Sequence, residues 1–219
     1  MTLRVYWGSG SPVSWRVLLA LAIKQVDYES KRLNLSEKEF RSEQYLALNP
    51  RGSFPLLVTS EEFCVRGSLA ILNYLERIAP EHALFGKSAE ECAAIWQLIG
   101  DHDDHLGPAT EKITRAYFRK NGDKSAEALA SSLETVGKEL ALLEALVAEQ
   151  WLVGTSMSAA ECVLYPTMHR LLRANDKADA SLLREVLGIE LANFPGLKSW
   201  LARMQEVPGV DETYPPHWR

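Results

Sequence analysis

The hydrophobic periodicity of this chain changes once, near Ala79-Pro80, and that change limits what the 219 residues can fold into. Before it, short β-prone runs alternate with helical patterns; after it, apolar residues recur every three or four positions and strand signals vanish. The pattern predicts an α+β protein in two parts: a βαβαββα domain over residues 1–80 and an all-helical domain over 88–219.

In the first part, Leu3 to Trp7 reads as a strand, about Val13 to Lys24 as a helix and Tyr28 to Leu33 as a second strand. Ser36 and Glu39 have capping-box spacing, which predicts a helix beginning at Ser36. Asn49-Pro50 ends it, because the residue before a proline avoids the α region. Leu56 to Thr59 and Phe63 to Val65 are short strands around the polar turn Ser60-Glu61-Glu62, and Ser68 is expected to cap a helix that buries Ile71, Leu75 and Ile78.

In the second part, Ser88 with Glu91 predicts a helix carrying Cys92, Ile95, Trp96 and Ile99 on one stripe. Leu129, Leu133, Val136, Leu140, Leu143 and Val147 alternate four- and three-residue spacings, the seam of a long core helix. Ser158 to Glu161 is another capping box, ahead of a helix that Pro166 should kink. Asn193 and Pro195 open a last helix with Leu197, Trp200, Leu201 and Met204 inward, and the tail from Val207 to Arg219 is expected on the surface.

Charge narrows the function. With 24 basic against 29 acidic residues, nothing favours nucleic acid or an anionic membrane as partner. The longest apolar run, Val17 to Ile23, is far short of the ~20 residues of a membrane span, and a cytoplasmic protein is expected. Cys64, Cys92 and Cys162, odd in number and widely spaced, suit reduced, buried thiols. No CxxC, GxGxxG, GxxxxGK[ST], HExxH or GxSxG occurs. His102 and His105 in Asp101-His102-Asp103-Asp104-His105 could share an ion, but no third histidine or cysteine lies nearby, so no metal is expected.

Four segments in order carry a resemblance over nearly the whole chain. Ser11-Pro12-Val13-Ser14-Trp15-Arg16-Val17, Asn49-Pro50-Arg51-Gly52-Ser53-Phe54-Pro55, Ser68-Leu69-Ala70-Ile71-Leu72-Asn73-Tyr74-Leu75 and Ser158 to Pro166 are similar to signature stretches of the cytosolic glutathione transferase family. The first resembles the loop into the opening helix of serine-type members, and the second the segment ending in the family's cis-proline. The third resembles the helix start of the thioredoxin-like domain, and the fourth the buried cap of the helical domain. Lys24 to Glu29 and the ending Thr213-Tyr214-Pro215-Pro216 resemble bacterial members, and Ser14-Trp15-Arg16-Val17 leans toward the zeta-like branch.

The resemblance implies a thioredoxin-like first domain, glutathione as co-substrate without a metal, a small electrophilic second substrate, a homodimer and a role in detoxification. Glutathione presents a thiol, two carboxylates and an amine, so its site must bind anions and favour thiolate over thiol. A serine at a helix N-terminus can do both, through its hydroxyl and the positive end of the dipole. Ser11 is therefore the expected catalytic residue, with plain capping of the helix as the other reading and Ser14 and Ser9 as alternative donors. Ser53, Phe54 and Pro55 would line the cysteinyl part of glutathione. Ser68 would receive its γ-glutamyl carboxylate at a helix start. Members of the family usually carry Glu or Gln just before that serine; here the position is Gly67, preceded by Arg66, which would grip a carboxylate or stay a solvated arginine at a strand end. Asp101, Asp103 or Asp104 of a partner subunit could help hold the amine. Ser9, His105, Tyr117 and Arg173 are the expected electrophile pocket, Arg173 matching an arginine that zeta members use for a substrate carboxylate, or else meeting the dipole at its helix's C-terminal end. Three functions follow: transfer of glutathione to small apolar electrophiles; glutathione-dependent cis-trans isomerisation of maleylacetoacetate type, against which Val13 replaces the cysteine of the zeta loop; and a non-catalytic binding module, suggested by Gly67.

Overall fold

The computed structural model describes residues 2–147, 150–177 and 179–219, and the chain divides into two compact units. The first runs to Leu84 and includes Glu206–Arg219; the second is Phe85–Gln205. The tail therefore groups with the first unit, and not with the helices before it.

The first unit is built from β1 (Leu3–Trp7), α1 (Pro12–Ile23), β2 (Tyr28–Arg32), α2 (Glu43–Leu48), β3 (Leu56–Val58), β4 (Cys64–Arg66) and α3 (Ser68–Ile78). Its four-stranded sheet has the order β2-β1-β3-β4, with β1 parallel to β2 and the other pairs antiparallel. Val5 stands opposite Ser30 on one side and Leu57 on the other. Leu3, Val5 and all of β3 are buried, as are Val17 to Leu21 of α1 and Ile71, Leu72 and Leu75 of α3. The helices cover the sheet because their apolar stripes have no other surface to meet.

The second unit contains α4 (Ala89–Asp101), a π-helical turn (His102–Leu106), α5 (Gly107–Phe118), α6 (Ala126–Leu146), α7 (Ala159–Asn175), α8 (Ser181–Leu187) and α9 (Pro195–Gln205). The α6 seam is buried from Leu129 through Leu143, followed by buried Val147. The Ser158 capping box forms: the Ser158 N–H donates to Glu161 Oε2 at 2.8 Å and the Ala160 N–H to Ser158 Oγ at 3.2 Å. Helix α7 continues through Pro166.

Several expectations fail for local reasons. No helix starts at Ser36, because the Asn34 side chain takes its donors: Oδ1 accepts from the Ser36 N–H at 3.2 Å and hydroxyl at 2.7 Å, while Glu39 reaches back to the Asn34 N–H at 2.7 Å. A 3-10 turn, Glu39–Arg41, results, and α2 begins only after Ser42 caps it. The cap of α3 is Gly67, at φ 83, which glycine adopts without penalty; Ser68 is the first helical residue. Ser88 accepts the Glu91 N–H, but Glu91 reaches Lys87 instead of Ser88, giving half a capping box. Ile78 and Trp96 are each 39% exposed, although Trp96 stacks on Phe85 at 5.1 Å. None of the three cysteines forms a disulfide; Cys162 is buried, whereas Cys64 and Cys92 are half-buried. The tail is not merely on the surface: Val210 is buried, Trp15 Nε1 donates to Thr213 Oγ1 at 2.7 Å, and Trp15 meets Tyr214 and Trp218 edge-on at 5.3 and 5.6 Å.

Candidate functional site

The loop from β1 into α1 is Gly8-Ser9-Gly10-Ser11. Ser11 caps α1 from extended backbone, φ -83 and ψ 119, with Pro12 pre-set for the first helical position. Its Oγ accepts the Ser14 N–H at 3.4 Å and its N–H donates to the Gly8 carbonyl at 3.2 Å. Ser14 is buried, and its Oγ accepts the Gly8 N–H at 3.1 Å, tying the loop's start to the first helical turn. Ser9 Oγ meets His217 Nδ1 at 3.0 Å. The three serines thus differ: Ser14 is enclosed, Ser9 is engaged with the tail, and Ser11 is half-buried with its O–H still available, since capping uses only a lone pair.

Phe54 packs directly on this loop; a Cβ added to Gly8 would lie 2.6 Å from Phe54 Cε2, so the position admits only glycine without movement. The Phe54-Pro55 bond is cis. The segment is held from behind by two residues that the sequence reading missed. Tyr45 donates its hydroxyl to the Ser53 carbonyl at 2.6 Å, and buried Asn49 donates Nδ2 to the same oxygen at 2.5 Å and to Ser53 Oγ at 3.3 Å. Burial pushes the Tyr45 phenol above its ordinary value, so it stays a donor. Asn49 carried a signal as a helix stop before Pro50 and as the first residue of the segment ending in Pro55, but not as a hydrogen-bond donor. Its amide is what pins the cis-proline segment.

Beyond β4, Arg66 is exposed at the strand end and makes no ion pair among the described residues. At Gly67 a Cβ would meet nothing within 4 Å, so the place where a side chain would stand is open space. Ser68 is buried at the N-terminus of α3, where the first hydrogen bond to the cap is Ile71 N–H to Gly67 C=O. The N–H groups of Ser68, Leu69 and Ala70 precede it. A recess of about 350 Å³, lined by Ser9, Arg32, Leu33, Asn34, Leu35 and Ser36, adjoins the Ser9 end of the loop. A larger one of about 500 Å³, lined by Trp7, Gln25, Tyr28 and Tyr214 among others, includes none of the expected site residues.

Of the expected electrophile residues of the second unit, His105 and Tyr117 stand far apart along the chain's helical axis, whereas Arg173 lies over Phe118, the neighbour of Tyr117. His105 is exposed on the π-helical turn, while Tyr117, 12 positions on and roughly 18 Å along the axis, is buried, which pushes its phenol up. Arg173, in the last turn of α7, lies over the Phe118 ring at 5.3 Å. His102 is buried, with Nδ1 2.9 Å from Asp103 Oδ1 and Nε2 2.8 Å from Thr167 Oγ1, so it joins the π-helical turn to α7. Among the described residues no group of three or more His, Cys, Asp and Glu could hold a metal ion, and no helix is long and apolar enough to cross a membrane.

A sheet of this topology with a capping serine, a cis-proline segment and a following helix N-terminus defines a thioredoxin-like domain, followed along the chain by a helical unit. Family models agree over both: residues 1–77 match the glutathione S-transferase N-terminal domain and residues 105–208 its C-terminal domain. A maleylacetoacetate isomerase of Pseudomonas aeruginosa is 33% identical over 82% of this chain and 85% of its own. Glutathione S-transferase 1 of Dianthus caryophyllus is 28% identical over 90% and 84%. The crystal structure of a glutathione S-transferase from the Antarctic clam Laternula elliptica, 26% identical, superposes with a TM-score of 0.83 over 100% of this chain and 94% of the other. The chain belongs to the glutathione S-transferase family, on its zeta-like side, and is a glutathione transferase.

Proposed function

We propose that this enzyme forms the thiolate of glutathione with Ser11 as hydrogen-bond donor to the sulfur, and that the thiolate attacks a small apolar electrophile. The observation that carries this reading is the state of the Ser11 hydroxyl: as N-cap it accepts from Ser14 and keeps its proton to give, at the positive end of α1. Lowering a thiol by about two units from ~8.5 takes roughly 2.7 kcal/mol of preferential thiolate binding, within reach of one charge-assisted bond plus the dipole. The thiol proton leaves to solvent, a carbon–sulfur bond forms, and the electrophile's leaving group departs with its electron pair or its double bond takes the proton.

Ser53, Phe54 and Pro55 would hold the cysteinyl part, since the Phe54 backbone lies outside the ladder that starts at Leu56 opposite Tyr6. The start of α3 at Ser68 would take the γ-glutamyl carboxylate, with exposed Arg66 beside it supplying positive charge and Gly67 supplying no side chain. Ser9, His105, Tyr117 and Arg173 remain the proposed electrophile-side residues. A cytoplasmic, homodimeric detoxification enzyme fits this reading, and light scattering at several concentrations tests the dimer.

The likeness to the Pseudomonas aeruginosa isomerase favours a second reading, reversible addition of the thiolate to an alkene, rotation and expulsion of the thiolate, with Arg173 on a substrate carboxylate. Difference absorbance of the glutathione thiolate across pH tests the first step common to both. The result expected is thiolate well below the free thiol's pKa in the wild type and less in Ser11→Ala; equal titration in the two would remove Ser11 from the role. Isomerisation of maleylacetoacetate by purified protein with glutathione separates the two outcomes.

A further inference from the structure

We propose that His217 is a positioning residue for the loop that presents Ser11, an inference that rests on the glutathione reading above. The last 3-10 turn, Pro216–Trp218, brings His217 back across 208 positions of sequence to Ser9, with Nδ1 3.0 Å from Ser9 Oγ. The ring also covers the next residue. A Cβ on Gly10 would stand 3.0 Å from both Cε1 and Nε2 of His217 and 3.2 Å from Trp218 Nε1, so backbone and imidazole are in close contact there.

Gly10 is where the loop most needs such support. Its φ of +77 is open to glycine, which also moves easily to other values, so Ser9 and Gly10 form the soft point of the four-residue loop. The other positions are already fixed. Gly8 is held by the Ser14 hydroxyl and packed by Phe54, and Ser11 is tied to Ser14 and Gly8. His217 supplies the missing restraint, and the turn carrying it is anchored to the helix that Ser11 caps. Buried Trp15 of α1 bonds Thr213 and meets Tyr214 and Trp218, while Arg219 bonds the Asp211 carbonyl at 2.6 Å and its carboxylate at 2.9 Å. Loop, helix and tail make a closed circuit around Ser11. His217 touches Ser9 and Gly10 and acts on the sulfur only through the aim of Ser11.

The test combines His217→Ala, His217→Asn, Ser9→Ala and the Ser9→Ala/His217→Ala pair, each checked for a cooperative melt. They are compared by the pH at which bound glutathione becomes thiolate and by kcat and KM with a dinitro-substituted chloroarene. Loss of one hydrogen bond predicts that His217→Ala raises that pH by about half to one unit and lowers kcat roughly three- to tenfold, with KM for glutathione changed less than about twofold. His217→Asn, whose amide can replace the Nδ1 contact, should recover most of the loss, and the double variant should be no worse than either single one. If His217→Ala fails to fold, Ser9→Ala, which deletes only the hydroxyl, carries the comparison. An unchanged thiolate titration in the folded variants, or fully additive losses, overturns the role of His217 and leaves the glutathione reading standing. A wild type that forms no thiolate overturns both.

Discussion

Ser11 Oγ accepts the N–H of Ser14 at 3.4 Å, while the hydroxyl of Ser14 turns the other way to accept the N–H of Gly8. One serine therefore builds the loop and the other is left able to donate from it. Ser11→Ala removes the donor and the cap together. The expected outcomes are a roughly 10- to 100-fold fall in kcat/KM, the worth of one hydrogen bond to a charged group, and a loss of about 1 kcal/mol of stability from the missing cap. Ser11→Thr keeps both functions and should retain most of the rate. Steady-state kinetics beside urea unfolding of the same variants checks the two effects separately.

What the sequence made legible follows from how local the cause is. Strand and helix periods, the α6 seam from Leu129 to Val147, and the Ser11 and Ser158 caps each depend on residues within one or two turns, and each is present. The failures involve competition or distance. Ser36 lost its helix because Asn34, two residues upstream, was the stronger acceptor for the same donors. Ser68 lost the cap because the positive φ that the turn from β4 requires fell to Gly67. Asn49 read as a stop, and nothing within a helical turn announced that its amide would hold Ser53. His217 was invisible, because its partner lies at the other end of the chain and the tail's hold on Trp15 comes from aromatic packing with no period.

Gly67 offers a gain-of-function test. Its position opens on empty space, but at φ 83 and ψ 134 any L-residue is strained, by about 1–3 kcal/mol. Gly67→Gln should therefore lower the melting temperature while tightening glutathione, through new hydrogen bonds to the glutamyl end, by roughly three- to tenfold. Gly67→Ala should show the same loss of stability and no gain in affinity. Calorimetric titration with glutathione, run beside thermal melts of the three proteins, distinguishes strain from recognition; equal affinities in all three would mean that the glutamyl end does not lie there.

The buried ammonium of Lys24 predicts an asymmetry. Its side chain is 0% exposed, and Nζ bonds Glu76 Oε2 at 2.7 Å and the carbonyls of Glu81 and His82 at 3.1 Å each. It thus fastens the segment after α3 to the end of α1. Glu76→Ala leaves a buried cation without its counter-charge and should cost about 3–5 kcal/mol. Lys24→Met should cost less, because the Glu76 carboxylate is 18% exposed to water and keeps the Leu84 N–H at 3.0 Å. Urea unfolding at neutral pH measures both, and a Lys24→Met loss as large as that of Glu76→Ala would contradict the argument.

His169 links the stability of the second unit to pH. It lies buried in α7 against the edge of Tyr165, ring centroids 4.4 Å apart, and burial lowers its pKa from 6.5 to about 4. In the unfolded chain the imidazole takes up its proton near the ordinary value, whereas the folded protein resists until about pH 4. As pH falls between those values the unfolded state binds the extra proton and folding weakens; above about 6.5 neither state is charged there and the contribution is constant. A difference of about 2.5 units corresponds to at most roughly 3 kcal/mol, reached near pH 4. His169→Phe keeps an aromatic ring against Tyr165 and has no proton to bind. The variant should unfold less readily than the wild type as pH is lowered from 7 to 5, after both are referred to their stability at pH 7. Parallel urea titrations at the two pH values give the comparison, and identical pH dependence in both proteins would show that His169 is not the group responsible.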